Sequence, residues 1–226
     1  MIDTLLFDFD GTIMDTNDLI ISSWKYVYKE FGEEECPISD ITSHFGEPIM
    51  NMINKLFPDR DPEYVVETYR KYHNEKFNYE TGLFPGVMGM LREFTLRRYP
   101  MAIVTNRIRR STEMGLKNCG IMPMFGSIVC EGEAPRPKPF PDSVFVALDQ
   151  LKSSPDRAIL VGDSQNDIIC GKNAGILTVR VEWAVATDEK YDDIAAKPDY
   201  TIEEPNDLVK LLDEINKDED RGWEQN

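Results

Sequence analysis

Asp8-Phe9-Asp10-Gly11-Thr12 decides the reading of this chain, because it sets two carboxylates almost side by side at the end of an apolar run. Thr4-Leu5-Leu6-Phe7 is short, largely apolar and without helical period, which predicts a buried strand. Gly11 allows a sharp exit, so both acids stand where strand passes into loop. Strand alternation puts the side chains of Asp8 and Asp10 on the same side of an extended chain. Like charges held that close are costly unless a cation lies between them or one carries a proton. An Asx turn or a helix cap accounts for one acid well, for both together less well.

Working outward, three more segments repeat the arrangement. Met101-Ala102-Ile103-Val104 is strand-like and ends in Thr105-Asn106. Ala158-Ile159-Leu160-Val161 runs into Gly162-Asp163-Ser164-Gln165-Asn166-Asp167. Ser127-Ile128-Val129-Cys130 is a short strand, followed by a Pro-rich loop that carries Lys138. Each has a plain explanation alone: Thr105 as a helix cap, Lys138 as a solvated cation, Gly162-Asp163-Ser164 as a turn. Together they imply an α/β fold with a parallel sheet, whose ligands bind beyond the carboxyl ends of the strands.

In order and in strand context, these segments resemble the haloacid dehalogenase superfamily of hydrolases, in its phosphatase branch. Asp8-Phe9-Asp10-Gly11-Thr12 is similar to the first family motif, Thr105 to the second, Lys138 to the third, and Gly162-Asp163 with Asp167 to the fourth. The resemblance spans essentially the whole chain and implies a Rossmann-like core flanked by helices. It also implies a phosphatase that passes through an aspartyl-phosphate. A carboxylate can attack phosphorus and split one hydrolysis into two easier steps, and Asp8 is the candidate. Mg²⁺, which prefers oxygen ligands, and Lys138 would offset the charge of the phosphate. The metal set is Asp8, Asp10 and Asp163, with Asp10 ligating through its backbone carbonyl by resemblance. The Asp10 carboxyl is then left to serve as general acid and later as general base. Thr105 and the Asn106 N–H are expected to bind phosphate oxygens at a helix N-terminus. Asp167 is placed just outside, holding Lys138 or a metal-bound water, or only capping a helix that starts near Ser164.

Composition narrows the partners. The chain has 226 residues and a net charge of −16, which argues against nucleic acid or an anionic membrane surface. No apolar run reaches the roughly 20 residues of a membrane span, and the N-terminus lacks a signal-peptide pattern, so a cytoplasmic location is expected. The four cysteines, Cys36, Cys119, Cys130 and Cys170, lack metal spacing and read as free thiols. A small phosphorylated metabolite is the expected partner, and the protein is expected to be a monomer or a dimer.

Residues 15–81 carry helical signals and no convincing strand. Ile20, Trp24, Val27, Tyr28 and Phe31 mark one helix, ended by Gly32 and the three glutamates after it. Ile49, Met50, Ile53, Leu56 and Phe57 mark a second, and Val65, Tyr69, Tyr72 and Lys76 a third, opened by Asp61-Pro62. By resemblance, 15–81 is a helical cap of the C1 type inserted after the first strand, and 1–14 with 82–226 form the core. Leu177–Val181 is a further strand, and Pro205-Asn206-Asp207 opens an amphipathic helix through Ile215, with a polar, frayed tail beyond.

Within the cap, Ile13-Met14-Asp15-Thr16-Asn17 and Gly46-Glu47-Pro48 resemble the branch of phosphoglycolate phosphatases and an inorganic pyrophosphatase. Gly46, Glu47 and Pro48 are therefore candidates for substrate selection, although the plain reading of the same three residues is a helix start with proline in its first turn. Glu47 would repel the carboxylate of phosphoglycolate. The expected activity is Mg²⁺-dependent hydrolysis of a small, phosphoglycolate-like phosphate monoester. Inorganic pyrophosphatase, sugar-phosphate mutase and an idle binding module are the alternatives. The mutases carry a histidine where this chain has Ile20, and an idle module predicts loss of a motif residue, whereas all are present.

Overall fold

A computed structural model of the chain describes residues 1–32, 38–184 and 197–223, so Cys36 and the three glutamates expected to end the first helix lie outside it. The first strand, β1 (Thr4–Phe7), is buried along its whole length, as a strand covered on both faces must be. After Phe7 the chain passes Asp8 and reverses at Gly11, whose φ of +74° suits glycine. It then forms β2 (Met14–Asp15) and enters four helices: α1 (Asn17–Glu30), α2 (Ile38–Thr42), α3 (Ile49–Leu56) and α4 (Pro62–Glu80). The expected opening of α4 holds: Asp61 accepts the Glu63 N–H and Pro62 fills the first helical position. Pro48, expected in a first turn, instead lies at the cap position ahead of α3.

The chain returns through β3 (Gly82–Leu83), antiparallel to β2. Two-residue strands carry no alternation, so this pair is not legible in the sequence. The remaining elements alternate: α5 (Val87–Leu96), β4 (Met101–Val104), α6 (Arg109–Asn118), β5 (Ser127–Val129), α7 (Asp142–Leu151), β6 (Ala158–Gly162), α8 (Gln165–Ala174), β7 (Leu177–Val181), β8 (Tyr200–Ile202) and α9 (Pro205–Trp223). The six-stranded sheet has the order β5-β4-β1-β6-β7-β8, and every pairing in it is parallel. β8 was not expected, and α9 runs past Ile215 into the polar tail.

Alternate residues of β1 feed two cores. Leu5 and Phe7 pack with Val87, Leu91, Phe94, Leu208 and Leu212, from α5 and α9. Leu6 packs with Val144, Leu148 and Cys170, from α7 and α8. The helical insert between β2 and β3 has a core of its own around Trp24, Ile53, Phe57, Val65 and Tyr69, with Trp24 stacked on Phe57. Among the described residues, Cys119, Cys130 and Cys170 are free thiols, and no helix is long and apolar enough to cross a membrane.

Candidate active site

The central position of β1, between β4 and β6, brings the distant segments together. Asp8, Asp10, Thr105, Asn106 and Lys138 all line one cavity of about 130 Å³, whose opposite wall comes from Ile20, Trp24, Ile49, Met52 and Tyr69 of the helical insert. Lys138 is 2% exposed, and its Nζ donates to Asp8 Oδ1 at 2.6 Å and to Asp167 Oδ1 at 2.5 Å. Oxygens of Asp8, Asp163 and Asp167 lie within 4.8 Å of one another. Gly11 makes this approach possible, since a Cβ there would overlap the Asp163 carboxylate.

One lysine against three carboxylates leaves the cluster negative. Burial, followed by the charge of Asp167, pushes the Asp8 carboxyl up to about 7 against the pull of Lys138. Burial and the same two neighbours, Asp167 and Asp8, hold Asp163 well above its ordinary range. For Lys138, burial favours the neutral amine, but Asp167 and Asp8 outweigh it and keep the ammonium charged. An all-oxygen donor set with excess negative charge is what a hard divalent cation requires.

Asp167 performs both functions considered for it, one on each oxygen. Oδ1 holds Lys138, while Oδ2 accepts the Ser164 N–H at 3.0 Å and hydroxyl at 2.6 Å, closing a capping box at the start of α8. Asp10 lines the same cavity as Asp8, but its Oδ1 accepts from Thr16 Oγ1 at 2.7 Å and from Arg107 Nη1 at 2.8 Å. Its side chain is not one of the three clustered carboxylates.

Thr105 and Asn106 are not at a helix N-terminus, because the cap of α6 is Ile108 and a loop intervenes. Thr105 Oγ1 accepts the Arg107 N–H at 3.1 Å. Asn106 is a junction: Oδ1 accepts the Lys138 N–H at 2.9 Å, and Nδ2 donates to the Lys138 carbonyl at 3.1 Å and the Gly46 carbonyl at 2.9 Å. Of the three cap candidates, Gly46 and Glu47 line the cavity and Pro48 does not. Glu47 is paired with Lys55 at 2.9 Å, which partly offsets the repulsion expected of it.

Sequence reasoning passed over Arg107 and His73, both of which line the cavity. The other histidine, His44, bonds to Ser43 and the Asp40 carbonyl outside the cavity. Two cues existed, Arg107 only two positions after Thr105 and a lone histidine on an aromatic helix face, but neither reveals a partner across the fold.

The fold and site define an α/β enzyme with an acid-lined crevice beyond the carboxyl ends of a parallel sheet. The sequence pattern of haloacid dehalogenase-like hydrolases matches residues 5–181, and the chain belongs to that family. It is 32% identical over 207 residues to pyrophosphatase PpaX of Bacillus velezensis, covering 92% of this chain and 94% of that one. A haloacid dehalogenase-like hydrolase of Streptococcus pneumoniae superposes with a TM-score of 0.82 at 26% identity, covering 93% and 98% of the two chains. A predicted phosphoglycolate phosphatase of Haemophilus somnus shares the fold, with a TM-score of 0.82 at 20% identity and the same coverage.

Proposed function

We propose that the protein is a Mg²⁺-dependent phosphatase that hydrolyses a small, phosphoglycolate-like phosphate monoester through phosphorylation of Asp8. The observation that carries this reading is the convergence of Asp8, Asp163, Asp167 and buried Lys138 in one cluster, from which Asp8 and Lys138 reach the cavity that Asp10 also lines under its own hydrogen bonds. Asp8 and Asp163, with the backbone carbonyl of Asp10, would hold the metal, which when bound supplies positive charge beside the phosphoryl group. A carboxylate oxygen of Asp8 attacks phosphorus as the bond to the leaving oxygen breaks. Asp10 gives that oxygen a proton, then takes one from the water that releases phosphate and restores Asp8. Lys138 keeps Asp8 oriented and offsets the charge of the phosphoryl oxygens, while Thr105 and the Asn106 N–H bind them.

Inorganic pyrophosphate is the second reading, favoured by the pyrophosphatase PpaX relatives. A panel of small phosphate esters and pyrophosphate, assayed with Mg²⁺ and with chelator, separates the two. Phosphate release from an ester that outpaces release from pyrophosphate, and that stops with chelator, is expected. Faster turnover of pyrophosphate transfers the assignment to it, and no release from either ends the hydrolase mechanism.

The helical insert serves as the cap, selecting substrate by what it places over Asp8. Gly46 is a contact of insert with core: φ is +81°, its carbonyl meets Asn106, and a Cβ would stand 2.7 Å from Ser164 Oγ. Gly46→Ala adds left-handed strain of about 1–2 kcal/mol to this contact, which converts to a KM raised about tenfold. Steady-state kinetics check it, and an unchanged KM removes Gly46 from cap closure.

A further inference from the structure

Arg107 bridges core and helical insert with a separate partner for each part of its guanidinium. Nη1 donates to Asp10 Oδ1 at 2.8 Å, Nε to Ser111 Oγ at 2.9 Å and Nη2 to His73 Nε2 at 2.5 Å. Its flat face lies over Phe9 of the core at 5.7 Å and Phe77 of α4 at 4.9 Å. The side chain is 9% exposed. Such a group has little freedom to turn, and its planar fork fixes the direction of each hydrogen bond.

The partners of His73 fix how it meets Arg107. Ser23 Oγ gives its proton to the Leu19 carbonyl at 2.6 Å, so toward His73 Nδ1, at 3.2 Å, it can only accept. The proton of the neutral imidazole therefore sits on Nδ1, and Nε2 keeps the lone pair that receives Arg107. Burial and Arg107 push the His73 pKa down to about 3, so this tautomer persists at ordinary pH. Ser23 and His73 belong to the insert, Ser111 and Asp10 to the core. At the far end, both of these hydrogen bonds to Asp10 fall on Oδ1, so neither occupies Oδ2.

We propose that Arg107, gripped by His73 of the insert, is a positioning residue that aims the Asp10 carboxyl at the leaving oxygen only while insert and core are in contact. This rests on the reading of Asp10 as proton donor, and it couples closure to acid alignment through named side chains. Substrate access with the insert displaced would find the nucleophile intact but the acid unaligned.

The test exploits leaving groups of similar size and different proton demand. The alkoxide of 2-phosphoglycolate needs a proton to depart, whereas acetyl phosphate expels acetate without one. Arg107→Met is expected to lower kcat/KM on 2-phosphoglycolate about 100-fold, the scale of general acid catalysis, and to spare kcat/KM on acetyl phosphate by at least tenfold relative to that loss, since kcat/KM reports the steps through departure of the leaving group and not the later attack of water that both substrates share. His73→Ala shifts the ratio the same way, and His73→Gln, whose amide oxygen can accept from Arg107, restores part of it. Asp10→Asn carries the same leaving-group signature, and adding Arg107→Met to it costs little more, because the two act through one group. Equal losses of kcat/KM on both substrates, or full additivity with Asp10→Asn, overturns the proposal. A wild-type protein that hydrolyses neither substrate overturns the phosphatase reading instead, and this proposal with it. Should Arg107→Met fail to fold, the ratio in the two His73 variants decides the question.

Discussion

Asp8→Asn is expected to abolish phosphate release, lowering kcat by about 10⁴-fold or more, the scale on which loss of a covalent nucleophile is felt. An amide oxygen is a much weaker nucleophile than a carboxylate. Quenched reactions analysed by mass should show a phosphorylated peptide containing residue 8 in the wild type and none in the variant. The same substitution leaves the fold intact, because the asparagine oxygen can still accept from Lys138, 2.6 Å away in the wild type. It should even raise the stability of metal-free protein. Asp8 carries a folded pKa of about 7 against an ordinary value of 3.8, so between these values the folded chain binds more protons than the unfolded one. Stability then falls as pH rises through that window and levels off above it. The variant lacks this titration, so its advantage in melting temperature grows from pH 4 to 7 and is steady beyond. Retained turnover would remove Asp8 as nucleophile; an advantage that shrinks with rising pH would mean that Lys138 outweighs burial at this carboxyl.

The parts of the molecule legible in the sequence are those whose cause is local. β1, β4 and β6 announce themselves as apolar runs because both faces of the sheet are covered. The acids follow directly on β1 and β6, and the lysine lies in the loop after β5, so strand order alone gathers them. The capping box at Ser164 and Asp167 is likewise a matter of spacing. What escaped depends on remote partners or on very short elements. β8 has three residues and is defined by pairing with β7, and β2 with β3 exists only as a pair. Alternation correctly set Asp8 and Asp10 at one cavity but could not foresee that Arg107 and Thr16 would hold one while Lys138 holds the other. His73 and Arg107 stand 34 positions apart, and nothing in either local pattern names the other.

Lys138→Met should damage both chemistry and fold, and the combination distinguishes a neutralising lysine from one that merely touches phosphate. Its ammonium is the cation bonded to Asp8 and Asp167, both nearly inaccessible to solvent. Removing it leaves buried carboxylates facing one another, a change that typically costs about 3–5 kcal/mol. For a chain of this size that is a fall in melting temperature on the order of 10 °C. Because the folded pKa of Lys138 lies above its ordinary value of 10.5, the lysine is charged in both folded and unfolded chains near neutrality. Its contribution is therefore fully present up to that value and declines only as pH rises beyond it. The destabilised variant should consequently recover at low pH through protonation of the acids that the lysine no longer balances. Added Mg²⁺ should recover part of the loss near neutrality, since a cation bound only by the folded state stabilises it by mass action. Turnover should fall about 100- to 1,000-fold even with metal present, through the lost stabilisation of phosphoryl charge. Thermal melts with Mg²⁺ and with chelator, alongside kinetics, check all three. A variant that loses turnover while melting like the wild type without metal would show that the carboxylates do not depend on Lys138 for balance, and the electrostatic account of the cluster would have to be replaced.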